Sequence, residues 1–175
     1  MPNSVLNARG FKKRKKVDNK DKKIVFFYVG FSIAFILDRA SKQIILSVIP
    51  ENSHIEIFRF FRITNIRNSG ICFGLFDNPI YLPIFIFTSL IAIGFIISYV
   101  YKKRSELPLL SLFSFGIIAG GVLGNLIDRI IFYGVIDFID FRIWPVFNLA
   151  DSFIVLGVLT LVMIYWRQKD ASCMF

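Results

Sequence analysis

Histidine and cysteine are scarce in this sequence of 175 residues, which contains one histidine and two cysteines. His54 lies in a polar stretch typical of a solvated loop and does not indicate a Ser–His or Cys–His catalytic pair. Cys72 and Cys173 lack the spacing of a zinc site, and the topology predicted below puts them on opposite sides of a membrane. We therefore expect no metal, no cofactor and no disulfide.

Charged residues are also few, and apolar residues are in excess. Charged side chains make up 19% of the chain, whereas 55% is hydrophobic, with 21 phenylalanines and a mean hydropathy of +0.64. Soluble domains are about 45–50% apolar. Because the excess is concentrated in blocks, the composition indicates a polytopic membrane protein with one compact domain.

Four apolar segments predict four transmembrane helices, at about residues 24–46, 80–101, 107–127 and 148–166. The first uncharged run ends at Leu37, well short of the roughly 20 residues that a span needs. Asp38 and Lys42 must therefore lie within or at the edge of the same helix. The last uncharged run is also too short, so its helix is predicted to begin near Asn148, with Asp151 about one turn inside its outer end.

The basic residues predict the orientation. The net charge is +9, and nine of the 21 lysines and arginines lie in residues 1–23, which we expect to be a disordered basic tail. Lys102–Arg104 and Arg167 lie on the same side of the predicted bundle, which the positive-inside rule makes cytoplasmic. Both termini, including residues 170–175, are then cytoplasmic, and the charge does not indicate nucleic-acid binding.

The first extracytoplasmic loop, residues 50–79, has a pattern typical of strands. Apolar and polar residues alternate between Ser53 and Thr64, which predicts short strands. Residues 65–74 are rich in Asn and Gly and predict turns. The loop is expected to form a small amphipathic sheet at the membrane surface.

Polar residues are concentrated between Asn125 and Asp151 and at the end of the first span. Two sets share a helix face by their spacing, Asn125/Asp128/Arg129 and Asn148/Asp151. Asp128 could pair with Arg129 or another cation, and Asn125 could bond a backbone group. Asp38 and Lys42, four residues apart, are interpreted as a buried structural pair. A stripe of Gly116, Gly120 and Gly124, with Gly121 beside it, favours close helix packing.

Carboxylate chemistry is the catalysis that these residues allow. Two neighbouring aspartates cannot easily both ionise, so one can act as a general base on water while the other donates a proton. Asp137 and Asp151 are the working pair, and chemistry alone does not choose between them and the rival candidates Asp128 and Asp140. From spacing alone the aspartates could instead relay protons in a small transporter, or the protein could be a non-catalytic scaffold.

Five segments carry a resemblance to a known family. They are D-R-A-S-K at 38–42, N-S-G-I-C-F-G at 68–74, G-G-V-L-G-N-L-I-D-R at 120–129, G-V-I-D-F at 134–138 and W-P-V-F-N-L-A-D at 144–151. In this order they resemble the lipoprotein signal peptidases (signal peptidase II), aspartic proteases of the bacterial inner membrane. Two departures are small: Cys72 stands where the family often has alanine, and the basic tail is longer than usual.

The resemblance implies a fold, a function and a site. The fold is an all-α membrane bundle of four transmembrane helices with a small extracytoplasmic β-rich cradle. The function is removal of signal peptides from diacylglyceryl-modified prolipoproteins, by cleavage on the amino side of the modified cysteine at the outer face of the membrane. The enzyme is expected to be metal-free, monomeric, in contact with membrane lipids and inhibited by globomycin.

The resemblance also selects residues. Asp137 and Asp151 fall on the catalytic aspartates, and Asp140 is left as a solvated loop charge. The supporting and substrate-binding positions fall on Asp38, Lys42, Asn68, Gly70, Gly121, Asn125, Asp128, Arg129 and Asn148.

Overall fold

The computed structural model describes residues 23–70 and 79–172. Their helices and strands are, in chain order, α1 (Val25–Val48), β1 (His54–Phe58), β2 (Phe61–Asn68), a 3-10 turn (Pro79–Tyr81), α2 (Leu82–Lys103), α3 (Leu109–Phe132), β3 (Val135–Asp140) and α4 (Leu149–Ser172). The predicted basic tail up to residue 22, Cys72 and Cys173 lie outside the described residues.

Helix α3 is the centre of the bundle and contacts the other three helices. Its glycine stripe faces α1: Gly116 lies against the Phe27 carbonyl, and a Cβ at Gly120 would lie 2.5 Å from the Phe31 oxygen. On another side, a Cβ at Gly121 would lie 2.7 Å from the Ala150 oxygen at the start of α4. The close packing predicted from the stripe is confirmed.

Three of the four helices in the described residues, α2, α3 and α4, are long and apolar enough to cross a membrane. Helix α1 has 24 residues, enough to cross, but carries Asp38, Arg39 and Lys42 in its second half. Many large apolar side chains on the helices are exposed, as expected where lipid covers a bundle. The structure therefore supports three of the four predicted spans by length and composition.

The three strands form one antiparallel sheet in the order β1-β2-β3. Ile63 pairs with Ile139, and Ile66 pairs with Asp137 after a bulge in β2. The buried side chains of Ile136 and Phe138 pack against Ile45 and its neighbours at the end of α1. The sheet is thereby attached to the bundle rather than formed by the first loop alone.

One sequence prediction for this region is wrong. Residues 65–68 are not a turn, because β2 continues to Asn68. The buried Asn65 side chain donates to the Ile49 carbonyl (2.7 Å), which satisfies the amide inside the structure. Further along the chain, Tyr133 ends α3 in a left-handed conformation (φ 59°), and β3 begins at Val135.

Candidate active site

Asp137 projects from the middle of β3 and is 3% exposed. Its two carboxylate oxygens accept hydrogen bonds from the amide Nδ2 atoms of Asn148 (2.7 Å) and Asn68 (2.9 Å). Burial, reinforced by the negative charge of Asp151, raises the pKa of the Asp137 carboxyl to about 7, against the opposing effect of these hydrogen bonds. Asp137 can therefore hold a proton near neutral pH.

Asp151 lies in the first turn of α4, where it forms a reciprocal cap with Asn148. The Asp151 N–H donates to Asn148 Oδ1 (3.0 Å), and the Asn148 N–H donates to Asp151 Oδ2 (3.3 Å). This arrangement is a capping box, which stabilises a helix start. Helix α4 begins at Leu149, so the predicted start near Asn148 is confirmed.

The two aspartates meet at one residue and one cavity. Asn148 bonds Asp137 through its side chain and Asp151 through its backbone. Both aspartates line a cavity of about 630 Å³, together with Asn68, Gly70, Asn125 and Arg129. A third amide reaches this cavity, since Asn125 Nδ2 donates to Asp151 Oδ1 (2.8 Å). The structure thus gathers side chains from β2, α3, β3 and α4.

The remaining walls of the cavity are mostly apolar. Apart from Val135 of β3, they come from the loop before α4 and from the first turns of α4, through Trp144, Pro145, Val146, Phe147, Ser152, Ile154, Val155 and Leu156. The sequence patterns did not predict that this loop lines the site. The available signal was its position between the two aspartates in the chain.

A buried ionic cluster lies behind the cavity. Lys42 is 0% exposed, and its ammonium lies 3.0 Å from Asp38 Oδ2 and 2.7 Å from Asp128 Oδ2. Arg39 pairs with the other oxygen of Asp128. The predicted Asp38–Lys42 pair is confirmed, and the cations beside Asp128 are Lys42 and Arg39.

The cluster also connects three elements. Asp38 Oδ1 accepts the Ala150 N–H at the start of α4 (3.1 Å), and Asp128 Oδ2 accepts the Ile136 N–H of β3 (3.3 Å). Ala150 precedes Asp151 in the chain, and Ile136 precedes Asp137. The cluster therefore bonds the backbone immediately before each candidate catalytic aspartate. The expected bond from Asn125 to a backbone group is wrong, because its amide bonds Lys42 and Asp151.

Asp140 is not the solvated loop charge expected from the sequence. It is 2% exposed, pairs with Arg62 across the sheet and accepts the Arg142 N–H (2.7 Å). These contacts close the turn after β3. Asp140 lies outside the residues that line the cavity.

Two of the predicted supporting positions, Arg129 and Gly121, are not part of the hydrogen-bonded asparagine–aspartate network. Arg129 lines the cavity with its guanidinium 5.6 Å from the centre of the Phe85 ring. Gly121 lies outside the cavity lining and allows the start of α4 to approach α3. Within the described ranges, no three His, Cys, Asp or Glu side chains are grouped as metal ligands.

Comparison with known proteins identifies the family. The family model described as Signal peptidase (SPase) II matches residues 31–167. The lipoprotein signal peptidase of Halothermothrix orenii is 41% identical over 146 residues, covering 83% of this chain and 98% of that protein. The corresponding protein of Syntrophomonas wolfei is 42% identical over 150 residues, covering 83% and 98%.

Solved structures agree with the sequence comparison. Two bacterial membrane enzymes, determined by the in meso method at 2.3 and 1.9 Å resolution, superpose with TM-scores of 0.72 and 0.68. They are 26% and 27% identical to this chain and cover 85% and 82% of it, and 89% and 92% of their own chains. The chain belongs to the signal peptidase II family, and is thus a membrane protein of a peptidase family.

Proposed function

We propose that this protein is an aspartic endopeptidase that removes signal peptides from lipid-modified prolipoproteins, with Asp137 and Asp151 as its catalytic groups. The observation that carries the proposal is the meeting of two carboxylates from separate elements at one cavity, joined through Asn148. The name of the relatives, lipoprotein signal peptidase, supplies the substrate class.

The two aspartates have different roles in the proposed mechanism. Asp137 starts protonated, in keeping with its pKa of about 7. Asp151 starts ionised: it lies at a helix N-terminus, which favours negative charge, and accepts N–H bonds on both oxygens. Asp151 removes a proton from water as the water attacks the scissile carbonyl carbon, and Asp137 donates its proton to the carbonyl oxygen.

The second half of the reaction restores both groups. The tetrahedral intermediate collapses as the C–N bond breaks. Asp151 gives its proton to the leaving amine, while Asp137 recovers the hydroxyl proton. The amides of Asn68, Asn125 and Asn148 hold the two carboxylates in place throughout, because each donates to one of them.

The cavity walls suit a lipid-modified substrate. Val155 and Leu156 continue the apolar surface from Asp151 along α4, and both are exposed on the outside of the bundle. We expect the diacylglyceryl chains to follow this surface and the bond on the amino side of the modified cysteine to lie at the aspartates. A monomer provides every group in this account.

The proposed arrangement in the membrane includes α1 as a fourth span. Its charges are compatible with a span because Asp38, Lys42, Arg39 and Asp128 neutralise one another inside the bundle. Residues 24–169 then form the peptidase unit in the bacterial inner membrane. Both termini are cytoplasmic and the sheet and cavity lie at the outer face.

Cleavage of a lipid-modified precursor tests the function. The purified protein should release the signal peptide, and mass spectrometry should place the cut immediately before the modified cysteine. The same precursor with that cysteine changed to serine cannot be lipid-modified and should stay intact, and globomycin should block the cut. Equal cleavage of both precursors, or a cut elsewhere, would refute the proposed specificity.

A further inference from the structure

Lys42 lies outside the cavity, yet it contacts a residue that bonds Asp151. We propose that Lys42 is a positioning residue, which holds the Asn125 amide in the one orientation that presents its NH₂ group to Asp151. The inference rests on the proposed catalytic role of Asp151.

The Lys42 ammonium determines which end of the Asn125 amide, Oδ1 or Nδ2, faces it. The nitrogen lies 2.8 Å from Asn125 Oδ1, 3.0 Å from Asp38 Oδ2 and 2.7 Å from Asp128 Oδ2. An ammonium donates hydrogen bonds and has no acceptor. The atom of Asn125 that faces Lys42 must therefore be its oxygen.

The other end of the amide is fixed as a consequence. With Oδ1 on Lys42, the Nδ2 atom of Asn125 lies 2.8 Å from Asp151 Oδ1. A flipped amide would set N–H groups against the ammonium and an oxygen against the carboxylate. Both contacts would change from attractive to repulsive, and both involve charged groups, which make the stronger hydrogen bonds.

Asn125 differs from the other two asparagines in how its orientation is held. Asn68 Oδ1 accepts the Gly70 N–H (3.0 Å), and Asn148 Oδ1 accepts the Asp151 N–H (3.0 Å). Those two amides are oriented by the backbone. The Asn125 amide is oriented by a side chain from α1, so a substitution at Lys42 can release it without altering any residue that lines the cavity.

A purely structural role for Lys42 makes a different prediction. Lys42 also neutralises Asp38 and Asp128, and its loss would leave buried carboxylates with less positive charge beside them. Such damage would lower activity whether or not Asn125 were present. An effect transmitted through Asn125 should disappear once the Asn125 amide is gone.

A double-mutant cycle separates these cases. Lys42→Met and Asn125→Ala are made singly and together, in the unmodified chain and in a chain carrying Asp38→Asn. Combined with Lys42→Met, the Asp38→Asn change keeps the cluster neutral, because one negative and one positive charge are removed together. The new amide retains an oxygen for the Ala150 N–H. The readouts are kcat and KM for a lipid-modified precursor, with thermal unfolding as the control for folding.

We expect Lys42→Met to lower kcat roughly 10- to 100-fold where Asn125 is present, the size of a lost charge-assisted hydrogen bond. With Asn125→Ala the same change should lower kcat less than about threefold, because the coupled partner is gone. KM should stay the same in both. An equal loss in the two backgrounds, or no loss in either, would overturn the inference.

Two further variants keep the result interpretable. If Lys42→Met does not accumulate, Lys42→Gln takes its place, since a glutamine can present either oxygen or NH₂ and no longer dictates the Asn125 orientation. Asp151→Asn separates the proposed function from the proposed role of Lys42. Full activity in that variant refutes the proposed function, whereas an inactive Asp151→Asn with an additive cycle refutes the role of Lys42 alone.

Discussion

At the residue scale, the two aspartates of the cavity have unlike surroundings. Asp137 is buried on a strand and accepts from two side-chain amides. Asp151 is half-buried at a helix N-terminus and accepts from one side-chain amide and one backbone N–H. Environments that differ in this way give neighbouring carboxyl groups different affinities for a proton. This difference supports the division into a proton donor, Asp137, and a water-activating base, Asp151.

The pH dependence of cleavage should report the donor. Its carboxyl must be protonated to act, and its pKa is about 7, so the fraction of competent enzyme falls as pH rises through that value. We expect kcat/KM to decrease about tenfold per pH unit well above this value. A rate that stays constant from about pH 6 to 9 would contradict Asp137 as the proton donor.

Substitution of Asn148 should damage both activity and stability. In Asn148→Ala the bond to Asp137 and the cap of α4 are lost together. We expect kcat to fall at least tenfold and the free energy of unfolding to fall by about 1 kcal/mol. Thr160→Ala, which removes a hydroxyl further along the same helix, is the control and should retain both. Unchanged cleavage by Asn148→Ala would contradict its bridging role.

At the scale of elements, α3 brings the cluster and the cavity together, and its contacts show how far the sequence could predict them. Asp38 and Lys42 are four residues apart on one helix, so their pairing was predictable. Lys42 and Asn125 are 83 residues apart, and their contact depends on how α1 packs on α3. The pairing of β2 with β3 and the burial of Asp140 are equally non-local.

The glycine stripe of α3 should be essential for this packing. Gly120→Val would force its side chain into the backbone of α1 near Phe31, at a cost of about 1–3 kcal/mol or more. We expect poor accumulation in membranes and a lower Tm. Gly94→Val, on α2, is the matched control because a Cβ there meets nothing within 4 Å. Equal behaviour of the two variants would argue against close α1–α3 packing.

At the scale of the whole molecule, the proposed topology puts the sheet and the turn between α2 and α3 on opposite sides of the membrane. His54 lies at the start of β1, and Ser105 lies in that turn; both are exposed. Charge distribution predicts the sheet outside and the turn in the cytoplasm. The sequence motifs indicated the family, whereas the sidedness depends on charge alone.

Thiol labelling in cells measures this sidedness. In a chain with Cys72→Ala and Cys173→Ala, single His54→Cys and Ser105→Cys variants are treated with a membrane-impermeant reagent. We expect His54→Cys to react in intact spheroplasts and Ser105→Cys to react only after the membrane is opened. The reverse pattern would show that the orientation is the opposite of the one proposed. Labelling of both variants in intact spheroplasts would contradict a membrane crossing by α2, which lies between the two positions.

The most direct measurement of the central claim is cleavage of a lipid-modified prolipoprotein by Asp137→Asn, Asp151→Asn and Asp140→Asn. The third variant is matched: it makes the same change on the same strand as Asp137, outside the cavity lining. We expect the first two to lose at least about 100-fold in rate while accumulating normally, the effect of removing a general acid or base. Asp140→Asn should keep cleaving. Full cleavage by either Asp137→Asn or Asp151→Asn would contradict the two-aspartate mechanism.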